Sequence, residues 1–411
     1  MAFVYRMRLT KLAGTEALGL NALVMQVYSI VVSVCISGLS IAVTAAAARL
    51  SCLGDMGGGL YAKLLKKAVA VYCALFISAA LPIFLFRRGV AANALGSPGA
   101  DSVLVVMLVC IFMTGLENVL KAMHMGAGLA GRCAASELCE QGVRFALVII
   151  LLTKLSHPNI ERTVLYIMLG MTASELVSVG FLSASFLASL SPRGKAEKQA
   201  VPPSYRELLK VAFPASATAM ASTVFSSAAA LLLPGRLAAF GMTEQQALSL
   251  IGVLSAVAVP IAFFPMAAVS AVASVLMPRV AARLSAGVDI KSLARSALKI
   301  AALIGPVSAL YILPAAPYIA RSLFSAQVSP ALIAALLLKA SVIYVQIVCT
   351  AVLNGAKRQG TVLLFAVTGE AYQLILMLLL TPVWGIFGYA VSMILGETLR
   401  LLCCLAAVKE L

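Results

Sequence analysis

Arg8-Leu9-Thr10-Lys11-Leu12-Ala13-Gly14-Thr15-Glu16 returns in altered form as Arg236-Leu237-Ala238-Ala239-Phe240-Gly241-Met242-Thr243-Glu244. Arg, Leu, Thr and Glu recur at one offset, 228. Each copy runs into a long apolar stretch ending in Ala-Ala-Arg-Leu, at Ala47–Leu50 and at Ala281–Leu284. Further on, Gly126-Ala127 and Gly131 match Gly355-Ala356 and Gly360, and Ser174-Glu175-Leu176 resembles Gly396-Glu397-Thr398-Leu399. Four matches in the same order predict that the second half of the chain repeats the first. Two related membrane bundles with a site between them are a common build of secondary transporters.

Composition sets the class. Of 411 residues, 62% are hydrophobic and only 11% charged, too apolar for a soluble domain. Apolar runs of roughly 20 residues, each long enough to span a bilayer, fall near 20–47, 68–86, 103–124, 133–153, 163–188, 207–233, 248–277, 296–314, 333–355, 361–381 and 386–408. The runs at 20–47 and 248–277 are long enough to tilt. The predicted fold is an all-α polytopic membrane protein of about 12 helices, because Met1–Arg6 reads as the end of a first helix whose beginning is missing. Its bundles are 1–190 and 205–411, joined by a polar linker at 191–204. Pro214, Pro260, Pro265 and Pro306 lie in second-half spans, where each removes a backbone hydrogen bond and favours a kink.

Lys and Arg orient the chain. Placing the loops near 50, 120, 190, 280 and 350 and the C-terminus on one side gathers there 19 of the 31 basic residues. The positive-inside rule makes that side cytoplasmic. It also explains much of the net charge of +16, which is spread over loops and forms no nucleic-acid-binding patch. Short loops leave no room for a catalytic domain, so no enzyme is expected. The nine cysteines include no Cys-x-x-Cys pair, and six of them, Cys35, Cys73, Cys110, Cys349, Cys403 and Cys404, sit in apolar spans as small hydrophobes. His124 and His157 stand apart, so neither a metal site nor a cofactor is expected, and no Gly-rich phosphate loop is present.

Charges inside spans carry the chemistry, since each is costly in hydrocarbon unless it faces protein or water. Glu117 and Lys121 are four apart, on one helix face. Glu137, Glu140 and Arg144 form a single stripe with Gln141 beside it, read as lining a hydrated cavity, and Glu397 and Arg400 share a face of the last span. Glu175, Glu370 and Lys339 are left to find partners on other helices.

Three passages carry a family resemblance: Gly14–Leu20 leading to Ser37–Val43; Ala135–Arg144; and Tyr205–Pro214 through Leu233–Leu237 to Pro260 and Leu276-Met277-Pro278. With these the chain resembles the stage V sporulation protein B branch of the multidrug/oligosaccharidyl-lipid/polysaccharide flippase superfamily, which includes polysaccharide-biosynthesis and lipid II flippases. The resemblance implies a MATE-like fold of two bundles around a V-shaped cavity. It implies transport of a lipid-linked oligosaccharide across the bacterial plasma membrane, by a monomer drawing on H+, Na+ or the membrane potential. A lipid pyrophosphate needs cationic groups to cross, and Arg8 and Arg236, at equivalent repeat positions, have the planar fork for it. Two departures stand out: most of the first helix is missing, and no Asp lies in a span. The alternative is an ion-coupled drug or solute exporter in which Glu137 and Glu140 bind the coupling cation. A non-transporting membrane scaffold is a third expectation.

Overall fold

The computed structural model describes residues 2–52, 59–155, 159–189 and 204–410. Asp55, His157 and linker residues 191–203 lie outside them. The described residues are helical, without strands, as membrane-buried backbone requires when no water is present to satisfy it. Eleven of these helices are long and apolar enough to cross a membrane.

The opening repeat marks helix boundaries. Helix α1 (Ala2–Cys35) is interrupted at Gly14, whose φ of 77° and ψ of 164° belong to no helix and which only glycine adopts without strain. Helix α2 (Ser37–Cys52) continues α1 after a bend at Ile36. In the second half, α8 (Tyr205–Ala239) ends at the corresponding place. Gly241 carries φ 104° there, and α9 (Glu244–Val253) restarts with Thr243 and Gln246 capping each other reciprocally.

The single run expected at 248–277 is broken in the structure. Helix α9 passes into a π-helical turn (Leu254–Ala258), a short α10 (Val259–Ala262) and then α11 (Met266–Ser285). Pro260 and Pro265 flank the break, where each removes a ladder donor. The remaining helices are α3 (Gly59–Leu85), α4 (Arg87–Asn93), α5 (Asp101–Gly126), α6 (Ala130–Lys154), α7 (Ile160–Ser189), α12 (Lys291–Phe324), α13 (Pro330–Gly355), α14 (Gln359–Trp384) and α15 (Ile386–Lys409). Helix α6 is as long as its neighbours, but Glu137, Glu140 and Arg144 interrupt its apolar character.

Two compact units form. One comprises Met1–Tyr5 and Leu23–Ser227, the other Arg6–Ala22 and Ala228–Leu411. In the first, α5 packs against α2 and α7, and α6 against α7. Tyr72, Leu104, Met107 and Ile111 are fully buried. In the second, α13 is central, against α11, α12 and α15. Val269, Leu276, Tyr344 and Val348 make up its core.

The second unit also takes in residues 6–22, through a crossing with near-twofold symmetry. A Cβ added at Gly19 would lie 1.9 Å from the carbonyl oxygen of Leu248, and one at Gly252 would lie 1.8 Å from that of Thr15. Thr15 Oγ1 and Ser249 Oγ are hydrogen-bonded at 2.7 Å across the contact. Small residues that let backbones meet are the usual adhesive between helices in lipid, where burial of apolar surface gives no net drive. The pairing lies five residues beyond the register of the opening repeat, in which Thr15 matches Thr243 and not Leu248.

Candidate functional site

Within the first unit, three neighbouring helices bring their charges together. Helix α5 contributes Glu117 and Lys121, α6 contributes Glu137, Glu140 and Arg144, and α7 contributes Ser174, Glu175 and Ser178. Spacings of three and four residues put each set on one helix face, and the faces converge.

Lys121 Nζ lies 2.8 Å from Glu117 Oε1, 3.3 Å from Glu137 Oε1 and 3.7 Å from Glu140 Oε2. Arg144 Nη2 bonds Glu140 and lies 3.1 Å from Glu175 Oε1, while its Nε donates to Ser174 Oγ at 3.2 Å. Ser178 donates to Glu117 and shares a 2.5 Å contact with Ser136. Four carboxylates thus face two cations. The side chains of Glu117, Glu140 and Glu175 are 3%, 7% and 4% exposed, whereas Glu137 is 61% exposed. Glu137 and Lys121 therefore form the accessible end of a ladder that leads inward to Glu175.

One oxygen in the ladder is reached by no donor. Glu175 Oε2 is fully buried and makes no hydrogen bond. Carboxylate oxygens of Glu117, Glu140 and Glu175 all lie within 4.8 Å of one another, the one group of this kind among the described residues. With both cations already engaged, the fully ionised cluster is two negative charges in excess. Uncompensated charge is expensive in a low-dielectric interior, so the arrangement is suited to taking up protons or a small cation. The expectation of no metal site rests on the cysteines and histidines alone, whereas these three glutamates stand far apart in sequence, on three different helices.

The second unit holds a counterpart of different character. The glycine matches put Gln346 at the position of Glu117, Gly369 at that of Glu140 and Gln373 at that of Arg144, all at offset 229. The later match puts Glu397 at the position of Glu175 and Arg400 at that of Ser178. These residues also converge. Gln346, with its amide oriented by the network, donates to Glu397 Oε2 at 2.5 Å and accepts from Arg400 Nη2 at 3.2 Å. Lys339 interacts electrostatically with Glu397 and Glu370. Two acids balance two bases here, so this cluster is neutral. The neutral Gln346 was missed as a site residue, although the repeat register pointed to it.

The other expected site residues lie elsewhere. Arg8 is exposed on α1 and Arg236 half-buried on α8, and neither makes an ion pair among the described residues. Gln141 is half-buried on α6, beside the stripe but outside its ion pairs.

No family model matches the chain, and no curated protein does. Solved structures do. A structure described as an inward-facing conformation of a multidrug resistance MATE family transporter of the MOP superfamily superimposes with a TM-score of 0.80 at 17% identity, covering 100% of this chain and 94% of the other. An outward-facing conformation described in the same terms gives 0.62 at 14% identity, over 99% of this chain and 93% of that one. A MOP superfamily transporter from Pyrococcus furiosus, whose binding pocket of reversed polarity is described as suggesting a different function, gives 0.64 at 16% identity, over 99% and 90%. The fold is that of a multi-pass membrane transporter. More particularly, it is the fold of the MATE family transporters of the MOP superfamily.

Proposed function

We propose that this chain is a cation-coupled secondary transporter of the MATE type, with Glu117, Glu140 and Glu175 as the seat of the coupling proton or sodium ion. The observation that carries this reading is the buried Oε2 of Glu175, which no donor reaches, within an acidic excess held by only two bases. Glu137 and Lys121 are the entry, since Glu137 is exposed while Lys121 bridges it to both Glu117 and Glu140. Arg144 joins Glu140 to Glu175 and so links the occupancy of one carboxylate to the charge of the next. A net-negative cluster is unsuited to holding an anionic pyrophosphate, which argues against the α6 stripe as a head-group site. The neutral second cluster serves as packing and has no demand for an ion.

A second reading concerns cargo. Arg8 and Arg236 are cations free of ion pairs among the described residues, at equivalent repeat positions. Together with the family resemblance, this supports lipid-linked saccharide as the transported molecule, with the bacterial plasma membrane as the setting. The test uses proteoliposomes bearing an imposed pH or sodium gradient. Two cargoes are followed: a fluorescent organic cation and a labelled polyprenyl-pyrophosphate sugar. Gradient-driven movement of either cargo, abolished in Glu175→Gln, is the expected result. Movement of both at wild-type rates in Glu175→Gln would remove the cluster from the transport cycle. Cargo choice between the two probes decides the second reading.

A further inference from the structure

At one end of the second unit, α12, α13 and α15 enclose a groove of about 470 Å³ whose walls include Val345 and Leu405. Its rim is basic. Lys291, Arg295 and Lys299 follow one another at four-residue steps on α12, the spacing of one helix face, and Lys409 stands at the end of α15. All four are exposed, and none forms an ion pair among the described residues. Two acids lie close in sequence: Glu410 is turned to Arg358 at 3.5 Å, and Asp289 accepts from the Lys291 backbone N–H at 3.0 Å. These residues belong to the side on which basic loop residues gather, the cytoplasmic side by the positive-inside rule.

Four unpaired cations above an apolar cleft form a two-part recognition surface. The rim matches a phosphodiester and the cleft matches acyl chain. A free phosphate would use the first part and leave the second unfilled. We infer that this groove is a binding site for one anionic phospholipid of the cytoplasmic leaflet, separate from the coupling cluster and independent of the transport reading. Basic pockets between membrane helices on the cytoplasmic side are suited to such head groups, with a gain of about fivefold in affinity for each Lys or Arg engaged.

The experiment compares purified full-length protein in nanodiscs of phosphatidylcholine alone and with phosphatidylglycerol added, reading thermal stability and lipid retained in native mass spectra. The wild type is expected to be stabilised by phosphatidylglycerol and to retain it. Lys291→Gln/Arg295→Gln/Lys299→Gln should weaken retention about a hundredfold while melting normally in phosphatidylcholine. A control, Arg49→Gln/Lys63→Gln/Lys66→Gln, removes three exposed charges from the first unit and should retain the lipid as wild type does. Equal loss in the control would reduce the effect to general surface charge and overturn the site. Equal retention of both lipids by the wild type would do the same. Displacement of phosphatidylglycerol by millimolar inorganic phosphate would replace the lipid with a free anion as ligand.

Discussion

Arg144 reaches across from α6 to Glu175 on α7 at 3.1 Å, while the same Nη2 also holds Glu140 one turn earlier on its own helix. One guanidinium nitrogen thus serves two buried carboxylates. Removing it leaves Glu175 without a base and Glu140 with only the longer 3.7 Å contact to Lys121, whereas removing an acid leaves the cluster closer to neutral. The asymmetry gives the cluster its mutational signature.

Arg144→Ala should be strongly destabilising, by about 3–5 kcal/mol, the usual cost of stranding buried partners of a broken ion pair. Glu140→Gln/Arg144→Gln should recover much of the abundance, since both charges leave together. Fluorescence-detected chromatography of membrane extracts measures this. Recovered abundance without gradient-driven transport would fit a coupling role, while recovered transport would reduce the pair to helix packing.

Gln346→Glu rebuilds in the second unit the acid that the first unit carries at Glu117. The new carboxylate would face Glu397 with Arg400 already engaged. The variant should be less stable at neutral than at acidic pH, because protonating the introduced acid removes its repulsion of Glu397. Melting temperatures across pH, set against wild type, provide the check. An identical pH dependence in both would show that the cluster has spare cationic capacity.

Much of the fold was legible in the sequence because a membrane span is a length of apolar residues, and length survives without knowledge of packing. The stripe on α6 was legible too, since Glu137, Glu140 and Arg144 share one helix and helical spacing places them together. Glu175 was not assigned, because its meeting with Arg144 is set by how α7 packs on α6, which no local spacing encodes. The break at 254–265 had only its prolines as a signal, as a π-helical turn has no signature in hydropathy. The transfer of residues 6–22 to the second unit was likewise invisible, since Gly19 and Gly252 look like ordinary small residues until their helices cross.

Gly252→Ala should lower stability by about 1–3 kcal/mol, the cost of overfilling a packed contact. Its Cβ has no position free of the Thr15 carbonyl unless the helices separate. Gly142→Ala is the comparison, because nothing lies within 4 Å of its Cβ and a helical glycine becomes alanine there. It should be neutral or slightly stabilising. Thermal melts of the two purified variants test the pair, and equal melting temperatures would show that the crossing yields easily.

Thr243→Ala removes the reciprocal cap with Gln246 that starts α9. A loss of about 1 kcal/mol is expected. Hydrogen exchange should quicken at residues 244–247 and leave α13 unchanged. Unaltered exchange in that first turn would mean that the crossing with residues 15–19 holds the helix start unaided.

The crossing also bears on how the chain is made. Thr15 and Ser249 bond across 234 positions of sequence, so residues 6–22 leave the ribosome long before the surface they pack against exists. At ordinary rates of synthesis the wait is on the order of 10–50 seconds. Through that interval Gly14, Thr15 and Gly19 present open backbone to whatever machinery inserts the chain. A fragment ending before α8 would keep residues 6–22 unmatched indefinitely. Biogenesis is therefore completed from the far side, with the second half closing over an end that the first half left waiting.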